Sequence, residues 1–247
     1  MSKRLWDDFL TEQDKAVFKA AGYGTRGDWG KRPALLIIDV SYGFTGEIDE
    51  PILESIKTWP NSCGHFAWRS IPYLQKLLNA ARAKTLPVIY TTGHYRNDQW
   101  DMGSWAWKNG RTPDWDGHGQ NRNGNDIIDE IAPQPQDIVI RKLKPSAFSS
   151  TPLHSFLTLL GADSLIVTGT STSGCVRASV IDAFSENYRV TLAEEGCFDR
   201  SEASHAINLC DMNAKYANVM PTDEVINYIK TLPEDLFDLP SGTSSDI

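Results

Sequence analysis

Apolar residues in this chain fall into short continuous runs separated by stretches of helical spacing. Ala34 to Val40 reads ALLIIDV, apolar except for Asp39. A central parallel strand needs such a run because neither of its faces meets water. Similar runs recur at 87–92 (PVIYTT), 137–140 (DIVI), 164–169 (SLIVTG) and 188–193 (YRVTLA). Between them, segments such as 70–84 and 175–187 carry apolar positions at helical intervals. Residues 5 to about 21 place Leu5, Phe9, Leu10, Val17 and Phe18 at near-helical spacing before Gly22 and Gly24, which predicts a peripheral helix. Strand and helix alternate with no internal repeat or low-complexity linker. The pattern predicts an α/β fold: a doubly wound, mostly parallel sheet of about six strands with helices on both faces. The 247 residues are read as a single domain, 1–247, with a helical extension over 1–24 and a frayed tail, PSGTSSDI, over 240–247.

Two stretches break the rhythm. Residues 41–68 and 96–125 are long and rich in Gly, Pro and Trp, and the second holds Trp100, Trp105, Trp107 and Trp115. Loops of that length in a compact domain cover sites or make subunit contacts, and both roles fit the Trp-rich stretch.

Composition narrows the function. Hydrophobic residues make up 40% and charged residues 23%, an ordinary soluble mixture. No apolar run approaches the roughly 18 residues of a membrane span. The opening MSKRLWDDFL puts acidic residues where an export signal would be apolar, so a cytoplasmic protein is expected. A net charge of −8 and a pI near 5.1 argue against nonspecific nucleic-acid binding, which rewards a basic face. The expected partner is a small molecule. Four cysteines at 63, 175, 197 and 210 form no Cys-x-x-Cys pair, and reduced thiols are expected.

Cys175 has a special position. It follows the apolar run LIVT through Gly169-Thr170-Ser171-Thr172-Ser173-Gly174 and precedes a helix bearing Val180, Ile181 and Phe184. A thiol at a strand-to-helix turn feels the positive end of the helix dipole and unsatisfied N–H groups, which favour the thiolate and can hold an oxyanion. A buried structural cysteine would occupy the same place, so Cys175 does not decide the matter alone. Asp39 ends the first core strand, where an unpaired carboxylate is costly. Arg141 and Lys142 emerge at the end of DIVI. In a doubly wound sheet, strand ends share one rim, so an acid, an ammonium and a thiol converge there.

These residues carry a resemblance. The chain is similar to the isochorismatase-like cysteine hydrolases from about Gly22 to Val225, in RPALLIIDVSYGFT around Asp39, RKLKPSAFSSTPL around Lys142 and GTSTSGCVRASVIDAF around Cys175. The resemblance implies a catalytic triad of Asp39, Lys142 and Cys175; Lys142, rather than Lys144, stands four residues before Ser146-Ala147-Phe148. It also implies a non-proline cis peptide between Ser171 and Thr172, with the N–H groups of Thr172 and Cys175 forming the oxyanion hole. The activity implied is hydrolysis of a C–N bond in a small linear amide or N-carbamoyl compound, of the N-carbamoylsarcosine or maleamate type. Asp39 would take the thiol proton, Lys142 would stabilise the anions, and a thioester would follow. A homotetramer or homodimer is a further implication.

Metal-dependent nicotinamidases of this fold carry a compact Asp-x-His motif, which the chain lacks. His65, His94, His118, His154 and His205 show no ligand spacing, so no metal and no cofactor are expected. A metal-dependent nicotinamidase and an idle scaffold of the same fold are the competing readings. In Glu194-Glu195-Gly196-Cys197-Phe198-Asp199-Arg200, Arg200 matches by position a family arginine that binds a substrate carboxylate, a task suited to a planar fork. A salt bridge from Arg200 to Asp199 or Glu202 is the alternative. The segments 41–68 and 96–125 depart from the family pattern and would border the pocket.

Overall fold

A computed structural model describes residues 3–96, 98–109 and 122–242. In chain order the elements are α1 (Glu12–Ala21), β1 (Pro33–Ile38), α2 (Tyr42–Thr45), α3 (Ile52–Thr58), α4 (His65–Ala83), β2 (Val88–Gly93), α5 (Ser104–Lys108), β3 (Ile138–Lys142), α6 (Leu153–Leu160), β4 (Ser164–Gly169), α7 (Arg177–Ser185), β5 (Arg189–Cys197), α8 (Glu202–Lys215), β6 (Asn218–Met220) and α9 (Thr222–Thr231). The strands form one parallel sheet in the order β3-β2-β1-β4-β5-β6. The expected α/β architecture is therefore present. Among the described residues, no helix is long and apolar enough to cross a membrane.

The central strand explains the continuous apolar run. Leu35 and Ile37 pack with Leu74, Leu77 and Ile229 of α4 and α9, whereas Leu36 and Ile38 pack with Leu157, Val180 and Leu209 of α6, α7 and α8. Successive side chains point to opposite faces, so helices on both faces demand an apolar residue at every position.

Several boundaries differ from the sequence expectation. The first helix begins at Glu12, seven residues later than expected, because Thr11 accepts from the Asp14 amide and Asp14 accepts from the Thr11 amide in a capping box. The fifth strand continues through Glu194 and Glu195 to Cys197. Glu194 is paired with Arg4 at 2.7 Å, and Glu195 accepts from the Thr222 amide at 2.7 Å, so both charges are accommodated within the strand. The helix expected over 175–187 is α7, preceded by a separate wide turn over Thr172–Val176. The long stretch 41–68 contains α2 and α3. Within 96–125, α5 carries Trp105 and Trp107; Trp115 and His118 lie outside the described residues, as does the tail beyond Gly242.

At the centre of the sheet β4 runs against β1, and Ile38 lies opposite Gly169. Gly169 has φ +106°, and a Cβ there would stand 2.1 Å from the Ile38 carbonyl oxygen. Only glycine permits this approach. Gly169→Ala is expected to destabilise the protein by about 2 kcal/mol or more, from the unfavourable φ and the clash together. An unchanged urea unfolding midpoint would show that the close approach is not required.

Candidate active site

Asp39 follows β1 with φ +53°, a left-handed conformation uncommon outside glycine, and its amide donates to Thr91 O at 3.1 Å. Its carboxylate is buried, and it accepts from Thr91 Oγ1 at 2.8 Å through Oδ1 and from Lys142 Nζ at 2.7 Å through Oδ2. Lys142 ends β3, two strands away from β1. The intervening β2 ends in Gly93, opposite Lys142, and so adds no side chain between the two. Lys142 Nζ also donates to Lys144 O at 3.1 Å. The pair is almost inaccessible, with side-chain exposures of 5% for Lys142 and 4% for Asp39.

Cys175 arrives from β4 at the other side of Asp39. Asp39 and Lys142 both act on the charge of its thiol, and the three residues expected at the sheet rim line one cavity. The turn that presents it is tied to neighbouring elements. Ser171 O accepts from the amides of Gly174 and Val176, at 2.9 and 3.2 Å. Ser173 donates through its amide and hydroxyl to Asp199 Oδ2, at 2.8 and 2.7 Å. Ser179 Oγ donates to Cys175 O at 2.7 Å and accepts from the Ala147 amide at 2.9 Å. The Ser146-Ala147-Phe148 segment thereby buttresses the helix that follows Cys175.

Two expectations about this turn are corrected. The non-proline cis bond lies between Thr170 and Ser171, not between Ser171 and Thr172. Its register is set by tertiary contacts: the Thr170 amide donates to Ile38 O at 2.8 Å, and Thr170 Oγ1 donates to Phe198 O at 3.1 Å. The Thr172 amide is likewise engaged, donating to Phe198 O at 3.1 Å, and so is not directed at a substrate. The Ser171 amide, by contrast, has no acceptor among the described residues.

A third correction concerns the thiol. The helix N-terminus was expected to lower its pKa, but it is pushed up to about 12. Burial is the largest cause; the Asp39 carboxylate adds to it, and Lys142 opposes it. Burial also works against the Lys142 ammonium, but Asp39 and Cys175 more than offset it and hold its pKa above the ordinary lysine value. A buried Asp39–Lys142 ion pair therefore stands beside a thiol whose ionisation burial opposes.

These groups open into a cavity of about 230 Å³. Arg200 lines it, as the sequence anticipated, and the alternative salt bridge does not form: among the described residues its guanidinium meets no carboxylate. Arg200 Nη1 donates to Ser171 Oγ at 2.9 Å, Nη2 donates to Asn61 O, and the group stands 5.5 Å from the Phe44 ring centre. From Arg200, Asp199 receives the backbone amide, at 2.7 Å, and not the guanidinium. Sequence reasoning did not single out Tyr95, Asn125 or Asn61, and set Lys144 aside, yet all four line the cavity. For Asn61, Tyr95 and Asn125 the available signal was a position in or beside the two divergent segments. Trp105 lines it too, while Trp100 and Trp107 are exposed.

Among the described residues, no three His, Cys, Asp or Glu side chains are placed to hold a metal ion. His65 contacts Asp49, His154 contacts Glu186 and His205 Nδ1 contacts Thr172 Oγ1; His94 is exposed.

The sheet order and the buried group of acid, ammonium and thiol place this chain in a known class. The isochorismatase domain profile matches residues 33–224, and the chain belongs to the isochorismatase family of hydrolases. It is 35% identical to the N-carbamoylsarcosine amidase of Arthrobacter sp. over 229 residues, covering 90% of this chain and 81% of that protein. It is 30% identical to the maleamate amidohydrolase of Pseudomonas putida over 214 residues, covering 85% and 92%. In fold it is similar to a cysteine hydrolase from Pseudomonas syringae pv. phaseolicola, with a TM-score of 0.73 at 23% identity, covering 84% of this chain and 99% of that one.

The electrostatics set the direction of two substitutions. Asp39→Asn removes a group that raises the thiol pKa, so thiolate absorbance at 240 nm should appear at lower pH. Lys142→Met removes a group that lowers it and should move the onset upward. The same shift in both variants would contradict the opposing roles. Lys142→Met should also destabilise the fold by about 3–5 kcal/mol, because it strands a buried carboxylate.

Proposed function

We propose that this hydrolase is a cysteine-dependent amidohydrolase that cleaves the C–N bond of a small linear amide or N-carbamoyl compound bearing a carboxylate, and releases ammonia. The observation that carries the reading is that the Cys175 thiol and a buried Asp39–Lys142 pair line the same small cavity. Two relatives that match most of the chain bear the names of amidohydrolases.

The chemistry follows from the resting protonation. A thiol with a raised pKa keeps its proton until attack, so a base must take it, and Asp39, which acts on the thiol from the same cavity wall, is assigned that part. As sulfur bonds to the amide carbon, the proton passes to Asp39 and the carbonyl electrons move to oxygen. Lys142 balances the charge on Asp39 while that carboxylate is ionised, and on sulfur as it attacks and as it leaves. The amides of Ser171 and Cys175 are the donors for the oxyanion in this reading. Collapse breaks the C–N bond, Asp39 returns the proton to nitrogen, and ammonia leaves a thioester. Water then attacks the thioester carbon, Asp39 takes its proton, the C–S bond breaks, and the proton returns to sulfur. Arg200 is assigned to the substrate carboxylate because its guanidinium faces the cavity without an anionic partner.

Ammonia release measured across N-carbamoylsarcosine, N-carbamoylglycine, maleamate and nicotinamide tests the reading. Turnover of the carboxylate-bearing amides is expected, with none in Cys175→Ala and a loss of about 10²–10⁴-fold in Asp39→Asn. Arg200→Ala should raise KM for those substrates roughly tenfold. Wild-type rates in Cys175→Ala would refute a covalent sulfur mechanism.

A further inference from the structure

The cavity carries more positive charge than one carboxylate requires. Lys142, Lys144 and Arg200 line it, and the carboxylate lining it, Asp39, is already paired with Lys142. Two cations thus face the cavity with no ion-pair partner among the described residues, in a chain whose net charge is −8. Lys144 makes a long contact, 3.4 Å, from Nζ to Met102 O. The nearby Asp101 carboxylate accepts from the Arg96 amide at 3.1 and 3.2 Å.

The topology puts these cations on opposite walls. Lys144 follows β3, Arg200 follows β5, and β2, β1 and β4 lie between them. Strands β3 and β5 are four strand spacings, about 19 Å, apart. Their long side chains enter the same cavity from its two ends, with Asp39 and Cys175 on the strands between. A lysine ammonium half-buried without a counter-ion is suited to an anion that arrives with the ligand.

We propose that Lys144 forms a second anion subsite opposite Arg200, so that the preferred substrate is an amide or N-carbamoyl compound with two carboxylates, one for each cation. The inference rests on the amidohydrolase reading for the scissile bond but not for the binding. Lys144 acts through its ammonium; the carbonyl that holds Lys142 belongs to its backbone and survives a side-chain change.

The test measures binding without turnover, by calorimetry on Cys175→Ala. N-carbamoylaspartate, with two carboxylates, is compared with N-carbamoylglycine, with one. The dicarboxylate should bind roughly tenfold tighter or better, as an added charged hydrogen bond implies. In the double variant Cys175→Ala, Lys144→Met the ratio of the two affinities should collapse toward one, and Lys144→Arg in the same background should preserve it. Equal affinities in Cys175→Ala, or a preference that survives Lys144→Met, would overturn the proposal. Circular dichroism of each variant separates a misfolded chain from a lost subsite. Absence of ammonia from every compound with the unsubstituted enzyme bears on the amidohydrolase reading alone.

Discussion

The site depends on a carboxylate and an ammonium removed from water together. Asp39 and Lys142 stand 2.7 Å apart with almost no exposure. Either charge alone would be costly in that place, whereas the pair is tolerable because each satisfies the other and both find further polar partners. The surrounding backbone is arranged around that requirement. Asp39 leaves its strand in a left-handed conformation, Gly93 clears the route from β3, and Thr91 and Lys144 O complete the hydrogen bonding. The pair then offers Cys175 a base and a countercharge at once.

The thiol illustrates how magnitudes decide between effects. A helix N-terminus contributes typically 0.3–1 kcal/mol and up to about 2 kcal/mol in favour of an anion. Full burial shifts a pKa by up to about 3–5 units, several times as much. Cys175 is buried and lies beside a carboxylate, so burial prevails and the sulfur remains protonated at rest. A sequence motif cannot display that balance.

Much of the architecture was legible because the central strands are buried on both faces and say so with unbroken apolar runs. The three site residues were legible because the end of each run breaks its apolar character in a chemically specific way. What escaped was governed by contacts distant in sequence. The fifth strand looked finished at Glu194-Glu195, since nothing local reveals that Arg4 and the Thr222 amide answer those charges. The register of the cis bond was missed by one residue within a run of Thr and Ser that gives no local distinction; Ile38 and Phe198 define it. Lys144 was weighed only as a rival for the catalytic lysine, while its place in the cavity wall depends on the fold.

The contact between Gly169 and Ile38 also has an evolutionary side. It joins the strand that leads to Asp39 to the strand that leads to Cys175, backbone against backbone, at the middle of the sheet. Substitutions in the segments around Asn61 and Trp105, which come from outside that junction, can reshape the cavity without shifting it. A lineage can thus explore new ligands through its peripheral loops while inheriting one unaltered reaction centre.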